Sequence, residues 1–371
     1  MRILFVMESL GKGGAERVLV NLVNAMDSSH EITICTLFEK GVHADRLAPH
    51  IHLVNRGAKR FKGIKFLSKF LPKKWLYRHY VAKAVEGEFD LTVAYMTGVP
   101  TAVVAGAPTP KIAWLHGDFN RFNGLIKGII RDIGLKGVYK KYDKVVGCSD
   151  FVTNSFVQVI GVDPAKTCTL YNTNDTAFIR RSAEADCPIA RPKDALLMVT
   201  VGCLEPVKGY ERLLHACDKL KKQQIPFALW ILGEGYQRGR LEELIEQYQL
   251  QDAVQLLGYQ TNPFAYEKVA DLFVCSSHSE GLSTAVSEAI VLGLPVLSTD
   301  VSGAKEILGE ENEYGLVCEN TEEGLLAGLQ TLLTDADLRA HYREKALERA
   351  PFFETAQTVS AVEALFTKII N

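Results

Sequence analysis

The stretch "HSEGLSTAVSEAIVLG", residues 278–293, lies between two short apolar runs. The run "DLFVCSS" before it and the run "LPVLSTD" after it have the composition of buried strands, whereas the residues after Gly281 have that of a helix. A helix-like segment between two such runs is typical of a β-α-β unit with parallel strands. The stretch therefore predicts a parallel sheet, with Glu280 at the tip of one strand and Glu288 inside the helix that follows.

The same alternation of apolar runs and helix-like segments extends along the whole chain, and it restarts at "ALLMVTVG" after a polar, proline-bearing stretch. Because 371 residues exceed one ordinary core, we expect an α/β fold of two tandem Rossmann-like, doubly wound domains that face a central cleft. The predicted boundaries are an N-terminal domain at residues 1–175, a linker at 176–194, a C-terminal domain at 195–350, and a C-terminal helix at 351–371 that crosses back to the N-terminal domain.

The overall composition is that of a globular protein with little net charge. Charged residues make up 23% of the chain and the net charge is −2. The eight cysteines are scattered and never form C-x-x-C, which favours reduced thiols over a zinc site or a disulfide framework. The sequence contains no apolar run of about 18 residues and no signal-peptide pattern at its start. We therefore expect a cytoplasmic protein.

A basic, aromatic segment stands out against this composition. From Arg56 to Lys83 the chain carries ten Lys or Arg and no Asp or Glu, and residues 121–144 have a similar character. Such a segment suits an anionic membrane surface, a nucleic acid, or a solvated helix face. Since no nucleic-acid motif accompanies it, we expect no nucleic-acid partner and a peripheral association with the inner face of the cell membrane. The residues predicted to contact the membrane are Lys59, Arg60, Lys62, Lys65, Lys69, Lys73, Lys74 and Trp75.

Two strand-to-helix turns have features of anion-binding sites. The turn in "ESLGKGGAERV", residues 8–18, is rich in glycine and opens a helix whose free N–H groups can approach an anion. A nicotinamide dinucleotide site is the alternative, with Glu39 as its ribose acid, but G-x-G-G lacks the third glycine of that fingerprint. In "VGCLEPVKGYERLL", residues 201–214, Lys208 at a helix start is a point charge suited to a diphosphate.

The stretch at 278–293 adds a third turn of this kind. A helix starting near Ser283 directs unpaired N–H groups toward an anion. Glu280 would lie beside that anion, where hydroxyl groups attached to it are expected. Glu288 can reach back from the helix to accept hydrogen bonds from the two vicinal hydroxyls of a ribose. The alternative is that Glu280 caps the helix and Glu288 forms a surface salt bridge.

The segment "EGLSTAVSEAIVLGLPVLSTDVSGAKEIL", residues 280–308, resembles the E-x7-E signature of a known enzyme family. The family is that of the retaining, nucleotide-sugar-dependent glycosyltransferases of family 4, which have the GT-B fold. "GGAERV" from residue 13, "LYNTND" at 170–175 and "VG-x-L…KG" at 201–209 are similar to further motifs of that family and occur in the same order. The resemblance covers almost the whole chain.

This resemblance implies a role for each site residue. It implies an N-terminal domain that binds the acceptor and a C-terminal domain that binds the nucleotide sugar. Glu280 would contact the donor sugar, Glu288 the ribose, and His116 in "AWLHGDF" would be the histidine near the anomeric carbon, which makes Glu280 and His116 the catalytic candidates. The groups that would hold the diphosphate or close over the donor are Gly13, Gly14, Lys208, Gly281, Leu282, Ser283 and Thr284.

The implied activity is transfer of a hexose or N-acetylhexosamine from a UDP-sugar to a saccharide acceptor, in glycan or polysaccharide biosynthesis. The basic segment favours a lipid-linked acceptor. The alternatives are a UDP-sugar 2-epimerase of related fold and a catalytically inactive partner subunit. One departure from the family pattern is Cys203, which stands where an arginine usually helps to neutralise the diphosphate. We expect Lys208, the helix terminus and Arg17 to compensate.

No metal or other cofactor is expected. Asp335 and Asp337 spell D-x-D, a motif that chelates a nucleotide-bound metal in other transferases. Here they open the helix-like segment "TDADLRAHYREKALERA", where Thr334 or Asp335 suits the N-cap and the acids favour the helix dipole. The charge of a leaving diphosphate would then be met by Lys208 and backbone N–H groups.

Overall fold

The computed structural model describes residues 1–11, 13–60, 62–120 and 135–371. The chain divides into two compact units, one of Met1–Thr173 together with Thr355–Asn371 and one of Asn174–Glu354. Each unit contains one fully parallel sheet, and the apolar runs before and after residues 278–293 are strands of the second sheet. The predicted fold class of two Rossmann-like α/β domains is therefore confirmed.

The first unit has a sheet of order β3-β2-β1-β4-β5-β6-β7. Its strands are β1 (Arg2–Ser9), β2 (Glu31–Glu39), β3 (His52–Asn55), β4 (Leu91–Ala94), β5 (Lys111–Leu115), β6 (Lys144–Gly147) and β7 (Thr167–Thr169). Its described α-helices are α1 (Gly14–Ala25), α2 (Ile64–Phe70), α3 (Lys73–Tyr80), α4 (Val99–Val104), α5 (Lys136–Tyr139), α6 (Asp150–Ile160) and the C-terminal α15 (Thr355–Ile370). The apolar side of α15, with Val359, Val362 and Phe366, is buried in the core of this unit.

The second unit has a sheet of order β10-β9-β8-β11-β12-β13. Its strands are β8 (Leu196–Val201), β9 (Phe227–Leu232), β10 (Val254–Gly258), β11 (Leu272–Cys275), β12 (Val296–Thr299) and β13 (Leu316–Cys318). Its α-helices are α7 (Thr176–Ala183), α8 (Tyr210–Lys222), α9 (Arg238–Gln247), α10 (Phe264–Lys268), α11 (Thr284–Val291), α12 (Ala304–Leu308), α13 (Glu322–Thr334) and α14 (Ala336–Arg349).

The first half of the segment predicted as a linker, residues 176–194, is folded. Asp175 caps α7 by accepting a hydrogen bond from the Phe178 N–H (2.9 Å), and Ile179 and Ala183 are buried. The rings of Phe178 and Phe264 meet edge to face at 6.2 Å. The prediction was wrong here because a helix of two turns is too short for its apolar period to stand out, and tertiary packing stabilises it. Residues 184–195 contain neither helix nor strand.

Strand order determines where each sheet can bind a ligand. In both sheets the order reverses between two adjacent strands, β1 and β4 in the first unit and β8 and β11 in the second. Ligands of open parallel sheets bind outside the carboxyl ends of the strands at such a reversal. The turns after β8 and β11 carry Lys208 and Glu280, and the end of β1 and the turn after it carry Glu8 and Gly13.

A buried arginine holds the turn after β11 in place. Arg212 on α8 is 7% exposed, and its Nε donates a hydrogen bond to the Ser276 carbonyl (2.8 Å) while its Nη2 donates to the Ser277 carbonyl. Its Nη1 donates to the side-chain oxygen of Asn320 (2.8 Å), and the Asn320 amide in turn donates to the His278 carbonyl (3.1 Å). Three consecutive carbonyls of the turn are therefore satisfied by two side chains.

We predict that Arg212→Met lowers the free energy of unfolding of the second unit by about 3 kcal/mol, because buried carbonyls lose a charged donor. Urea unfolding of a chain with Trp75 and Trp114 changed to Phe would measure it, since Trp230 in β9 then reports on this unit alone. Arg240→Met on α9, where the arginine side chain is 49% exposed, is the control and should change stability by less than about 0.5 kcal/mol. Equal stability of the two variants would contradict the role given to Arg212.

Candidate active site

The two turns at the strand-order reversal of the second unit are joined by hydrogen bonds. The Ser276 hydroxyl donates to the Lys208 carbonyl (2.9 Å), and the His278 N–H donates to the Val207 carbonyl (2.7 Å). Gly209, between them, has φ +66°, and a Cβ there would lie 2.0 Å from the Ser276 oxygen. Only glycine fits this position, because any side chain would push the two turns apart.

Lys208 and Glu280 form an ion pair across these turns. The Lys208 Nζ lies 2.8 Å from the Glu280 Oε1, which also accepts a hydrogen bond from the Ser277 hydroxyl (2.5 Å). The two charged side chains are 25% and 12% exposed. Burial acts to lower the pKa of Lys208, but its neighbours, the Glu280 carboxylate first among them, together raise that pKa above its ordinary value. The site thus presents a permanent cation suited to a phosphate and a carboxylate suited to hydroxyl groups.

A small polar cavity of about 10 Å³ adjoins this ion pair. The residues around it include Thr200, Tyr210, Ser277, Glu280 and Ser283. Tyr210 is 2% exposed, and burial raises its pKa, so its phenol stays protonated at neutral pH. The volume is roughly that needed for a single water molecule bound by such polar groups.

The helix that follows, α11, starts where the sequence predicts. The Ser283 hydroxyl caps it by accepting a hydrogen bond from the Val286 N–H (3.4 Å), so Glu280 is not the cap. Glu288 is the fifth residue of α11 and only 2% exposed, which rules out a surface salt bridge. Gly281 and Leu282 are buried in the turn, and Thr284 is the half-buried first residue of the helix. The second unit therefore brings both glutamates, Lys208 and the helix start together at one sheet edge.

In the first unit, Gly13 and Gly14 lie at the start of α1. Gly13 is the N-cap residue, and Gly14 is exposed. The Glu16 carboxylate folds back over this end of the helix, so that a Cβ on Gly13 would lie 2.2 Å from its Oε2. Burial raises the pKa of Glu16. Lys12, in the same turn, lies outside the described residues.

His116 directly follows β5 at the carboxyl edge of the first sheet. Burial lowers its pKa to about 4, against the opposing effect of a hydrogen bond to the backbone of Tyr95. Its Nε2 has no hydrogen-bond partner within the described ranges of the chain. The imidazole is therefore neutral at physiological pH and offers a ring nitrogen to a ligand hydroxyl.

The basic segment presents some of its predicted membrane-contact residues to solvent and turns others inward. Lys59, Lys62, Lys74 and Trp75 are exposed, and Lys69 is half-buried. In the part of the chain that the structure describes, no helix is long and apolar enough to cross a membrane. Residues 121–134 of the second basic stretch lie outside the described residues.

Lys73, Arg60 and Lys65, all predicted to contact the membrane, have partners inside the protein. Lys73 is 9% exposed and its ammonium donates to the carbonyls of Ser68 and Lys69 (both 2.6 Å) at the end of α2, so it does not face a membrane. Burial lowers the pKa of Lys73 to about 8. Arg60 and Lys65 are exposed but form ion pairs with Glu8. The sequence shows a run of basic residues but not their partners, which are Glu8 on β1 and the backbone carbonyls at the end of α2. The inward-facing residues could therefore not be predicted from the sequence.

The other residues named in the sequence analysis, Cys203, Arg17 and Asp335, lie on three different elements. Cys203 is exposed in the turn after β8, whereas Arg17 lies on α1 in the first unit. The Asp335 side chain caps α14 by accepting a hydrogen bond from the Leu338 N–H (2.8 Å), as predicted. Across the described residues, no group of three or more His, Cys, Asp or Glu side chains is arranged to hold a metal ion.

Four side chains that support this site were not predicted: Ser277, Arg212, Asn320 and Ser302. Ser302 donates to the Gly281 carbonyl (3.0 Å). The one signal available in the sequence was Arg212, which falls among Tyr210, Leu213 and Leu214 near the start of α8. A charged residue at the apolar side of a helix needs buried partners, but their identity follows only from the fold.

Two family models match the chain. The model described as "Glycosyltransferase Family 4" matches residues 12–178, and the model described as "Glycosyl transferases group 1" matches residues 183–349. The two matches correspond to the two α/β halves.

Two relatives from Campylobacter jejuni match nearly full length. One is an N-acetylgalactosamine-N,N'-diacetylbacillosaminyl-diphospho-undecaprenol 4-alpha-N-acetylgalactosaminyltransferase, 30% identical over 93% of this chain and 94% of its own length. The other is a GalNAc-alpha-(1->4)-GalNAc-alpha-(1->3)-diNAcBac-PP-undecaprenol alpha-1,4-N-acetyl-D-galactosaminyltransferase, 27% identical over 100% of this chain and 98% of its own length.

The fold has a solved counterpart as well. Anabaena Alr3699/HepE, whose crystal structure contains UDP and glucose, superposes with a TM-score of 0.75 at 17% identity, over 99% of each chain. That likeness concerns the fold, while the 30% identity over nearly the full length concerns the family. The chain belongs to the glycosyltransferases of the GT-B fold, with a family 4 N-terminal half and a group 1 C-terminal half.

Proposed function

We propose that this glycosyltransferase moves a hexose or N-acetylhexosamine from a UDP-sugar to a lipid-linked saccharide with retention of the anomeric configuration. The observation that carries the proposal is the ion pair of Lys208 and Glu280 beside the start of α11, with Glu288 buried on the same helix. These groups match the three parts of a nucleotide sugar: a diphosphate, a sugar with hydroxyl groups and a ribose.

The diphosphate is assigned to Lys208 and the start of α11. Helix N-termini attract anions, and the raised pKa of Lys208 keeps its ammonium charged. Without donor, that ammonium neutralises Glu280. With donor, the phosphate competes for the ammonium, and Glu280 stays oriented by the Ser277 hydroxyl at 2.5 Å. Its carboxylate is then available to the hydroxyl groups of the sugar.

The ribose is assigned to Glu288. Its carboxyl group is buried on α11, a little more than one turn past the Ser283 cap. The two oxygens of this carboxylate can accept hydrogen bonds from the two vicinal hydroxyls of a ribose. A buried carboxylate also favours a nucleotide that has both ribose hydroxyls, because each hydroxyl adds a hydrogen bond to a charged acceptor.

The proposed chemical step uses these charges. The diphosphate leaves toward the start of α11, where N–H groups and Lys208 stabilise its developing charge. The acceptor hydroxyl attacks the oxocarbenium-like centre on the face that the phosphate leaves, and a departing phosphate oxygen takes its proton. The bond from sugar to phosphate breaks as the bond to the acceptor oxygen forms. The mechanism assigns no carboxylate as nucleophile, unlike the carboxylate pair of retaining glycosidases. His116, in the first unit, is neutral and can accept a hydrogen bond from a sugar hydroxyl.

The lipid-linked acceptor is supported by the two relatives and by the basic segment. The names of both relatives give an undecaprenol diphosphate saccharide as acceptor. On α2 and α3, Phe66, Leu67, Phe70 and Trp75 are about half exposed beside exposed lysines. Exposed aromatic and basic side chains together favour docking at an anionic membrane surface. We propose a peripheral association with the cytoplasmic face.

The donor assignment predicts selective binding of uridine nucleotides. In a thermal-shift panel of UDP-, GDP- and ADP-sugars, a UDP-sugar at a hundredfold excess over its Kd should stabilise the second unit by about 2.7 kcal/mol. Glu288→Ala should weaken UDP binding in calorimetry about a hundredfold, because two hydroxyls lose a charged partner. Glu243→Ala on α9, where the side chain is 71% exposed, is the control. Unchanged affinity in Glu288→Ala would refute the ribose assignment.

The membrane assignment predicts a loss of vesicle binding on removal of charge. Changing Lys59, Lys62, Lys69 and Lys74 to Ser should cost about 4 kcal/mol, or about a thousandfold in partitioning to phosphatidylglycerol vesicles, at about 1 kcal/mol per base. Co-sedimentation would measure it. The control is the same change at four exposed lysines of the second unit, Lys193, Lys221, Lys222 and Lys268. Equal sedimentation of both variants would remove the membrane claim.

Catalysis is predicted to need no divalent metal. The diphosphate charge is met by Lys208 and the start of α11, and Asp335 is engaged as a helix cap. UDP release should therefore proceed at the same rate with and without EDTA. A loss of turnover that Mg²⁺ or Mn²⁺ restores would show that a metal shares the diphosphate.

A further inference from the structure

Glu8 is a buried carboxylate that the roles assigned so far do not use. It lies near the carboxyl end of β1, beside the point where the strand order of the first sheet reverses, and its side chain is 8% exposed. Its Oε2 accepts a hydrogen bond from the Arg60 guanidinium (2.6 Å). Its Oε1 is buried, lies 3.5 Å from the Lys65 Nζ, and has no hydrogen-bond partner in the described part of the chain.

The surroundings of Glu8 are polar groups of neighbouring strand ends. A Cβ on Gly98, in the turn after β4, would lie 3.6 Å from its Oε1, so this backbone passes directly beside the carboxylate. His116 follows β5, the next strand, and its Nε2 also has no hydrogen-bond partner among the described residues. Tyr95 follows β4, and its ring centroid lies 4.8 Å from that of His116. Two acceptors without donors therefore lie at the edge where the sheet binds ligands.

The ion pair of Lys65 with Glu8 is weak. The Lys65 side chain is 59% exposed and its Nζ lies 3.5 Å from Oε1, so little free energy is gained by holding it in one geometry, whereas Arg60 donates a hydrogen bond to Oε2 at 2.6 Å. If Glu8 served only to anchor the basic segment, both carboxylate oxygens would be expected to accept hydrogen bonds. Instead, Oε1 is left at 3.5 Å from its cation, and a buried acceptor without a donor is unfavourable. A ligand hydroxyl that replaces Lys65 at Oε1 would remove this penalty.

We propose that Glu8 determines acceptor specificity by accepting a hydrogen bond at Oε1 from a ring hydroxyl of the acceptor sugar. Arg60 stays on Oε2 and keeps the carboxylate oriented, while Lys65 gives way to the sugar. This inference rests on the proposed function for the identity of the ligand as a saccharide acceptor. It concerns the first unit, whereas the donor assignment concerns residues of the second.

Saturation-transfer NMR with simple glycosides tests the proposal without depending on turnover. The probes are the methyl glycosides of glucose, galactose, N-acetylglucosamine and N-acetylgalactosamine, added to the full chain in the absence of nucleotide. At least one glycoside should bind the wild type. Glu8→Gln should lower the affinity for that glycoside about tenfold or more, because an amide is a poorer hydrogen-bond acceptor than a carboxylate. Glu39→Gln, an exposed glutamate at the end of the neighbouring β2, is the matched control and should bind as the wild type does.

Deoxy versions of the bound glycoside separate recognition from a purely structural role. Removal of the hydroxyl that donates to Glu8 should weaken glycoside binding to the wild type, but it should not weaken binding to Glu8→Gln any further. Removal of any other hydroxyl should weaken binding to both proteins equally. UDP affinity in the second unit, measured by calorimetry, should be the same for both proteins. An unchanged urea midpoint, followed by Trp114 in β5 after Trp75 and Trp230 are changed to Phe, would show that the first unit of Glu8→Gln is folded. Equal glycoside affinity in the two proteins, or losses that are additive for every hydroxyl, would overturn the proposal.

The absence of binding by all four glycosides would also overturn it. The outcome is distinguishable from failure of the proposed function, because the thermal-shift panel reports donor binding independently of Glu8. A wild type that binds a glycoside through Glu8 but no UDP-sugar would leave the first unit's site in place and remove the donor assignment.

Discussion

The hydrogen bonds between the turn after β8 and the turn after β11 are the constraint on which the candidate active site depends. Gly209 lets the Ser276 carbonyl approach, and Arg212 and Asn320 satisfy the carbonyls of residues 276 to 278. With its carbonyls turned to the protein, the turn is held in one geometry. Lys208 and Glu280 therefore meet at 2.8 Å as a consequence of backbone packing rather than of their own attraction alone.

That geometry has an electrostatic consequence. A largely buried cation next to a largely buried carboxylate is tolerable only as a pair, because each charge alone would lose its hydration without compensation. An anionic ligand changes the balance, since it supplies a second partner for the cation. The ion pair is thus neutral without a ligand, and its two members suit a group that carries both an anion and hydroxyls. A diphosphate sugar has both.

The first unit uses its cations differently. Its basic segment is not a uniform charged surface, because Lys73 joins α2 to α3 through backbone carbonyls and Glu8 holds Arg60 and Lys65 toward the sheet. The remaining exposed lysines lie beside exposed aromatic rings. One short segment thereby serves the edge of the sheet and an outer surface at the same time. Such a division is consistent with an acceptor that has a sugar and a lipid.

The sequence by itself determined the features that depend on local periodicity and local backbone geometry. The strands, the start of α11 at Ser283 and the spacing of Glu280 and Glu288 follow from the alternation of apolar runs with helix-like segments, from cap residues and from glycines. Only the tertiary structure decided which charges are buried and with whom. The partners of Arg212, Lys73 and Glu8 are backbone carbonyls and side chains on other elements, and no local pattern encodes them. The short α7 was missed for the same reason, since packing against α10 rather than its own sequence stabilises it.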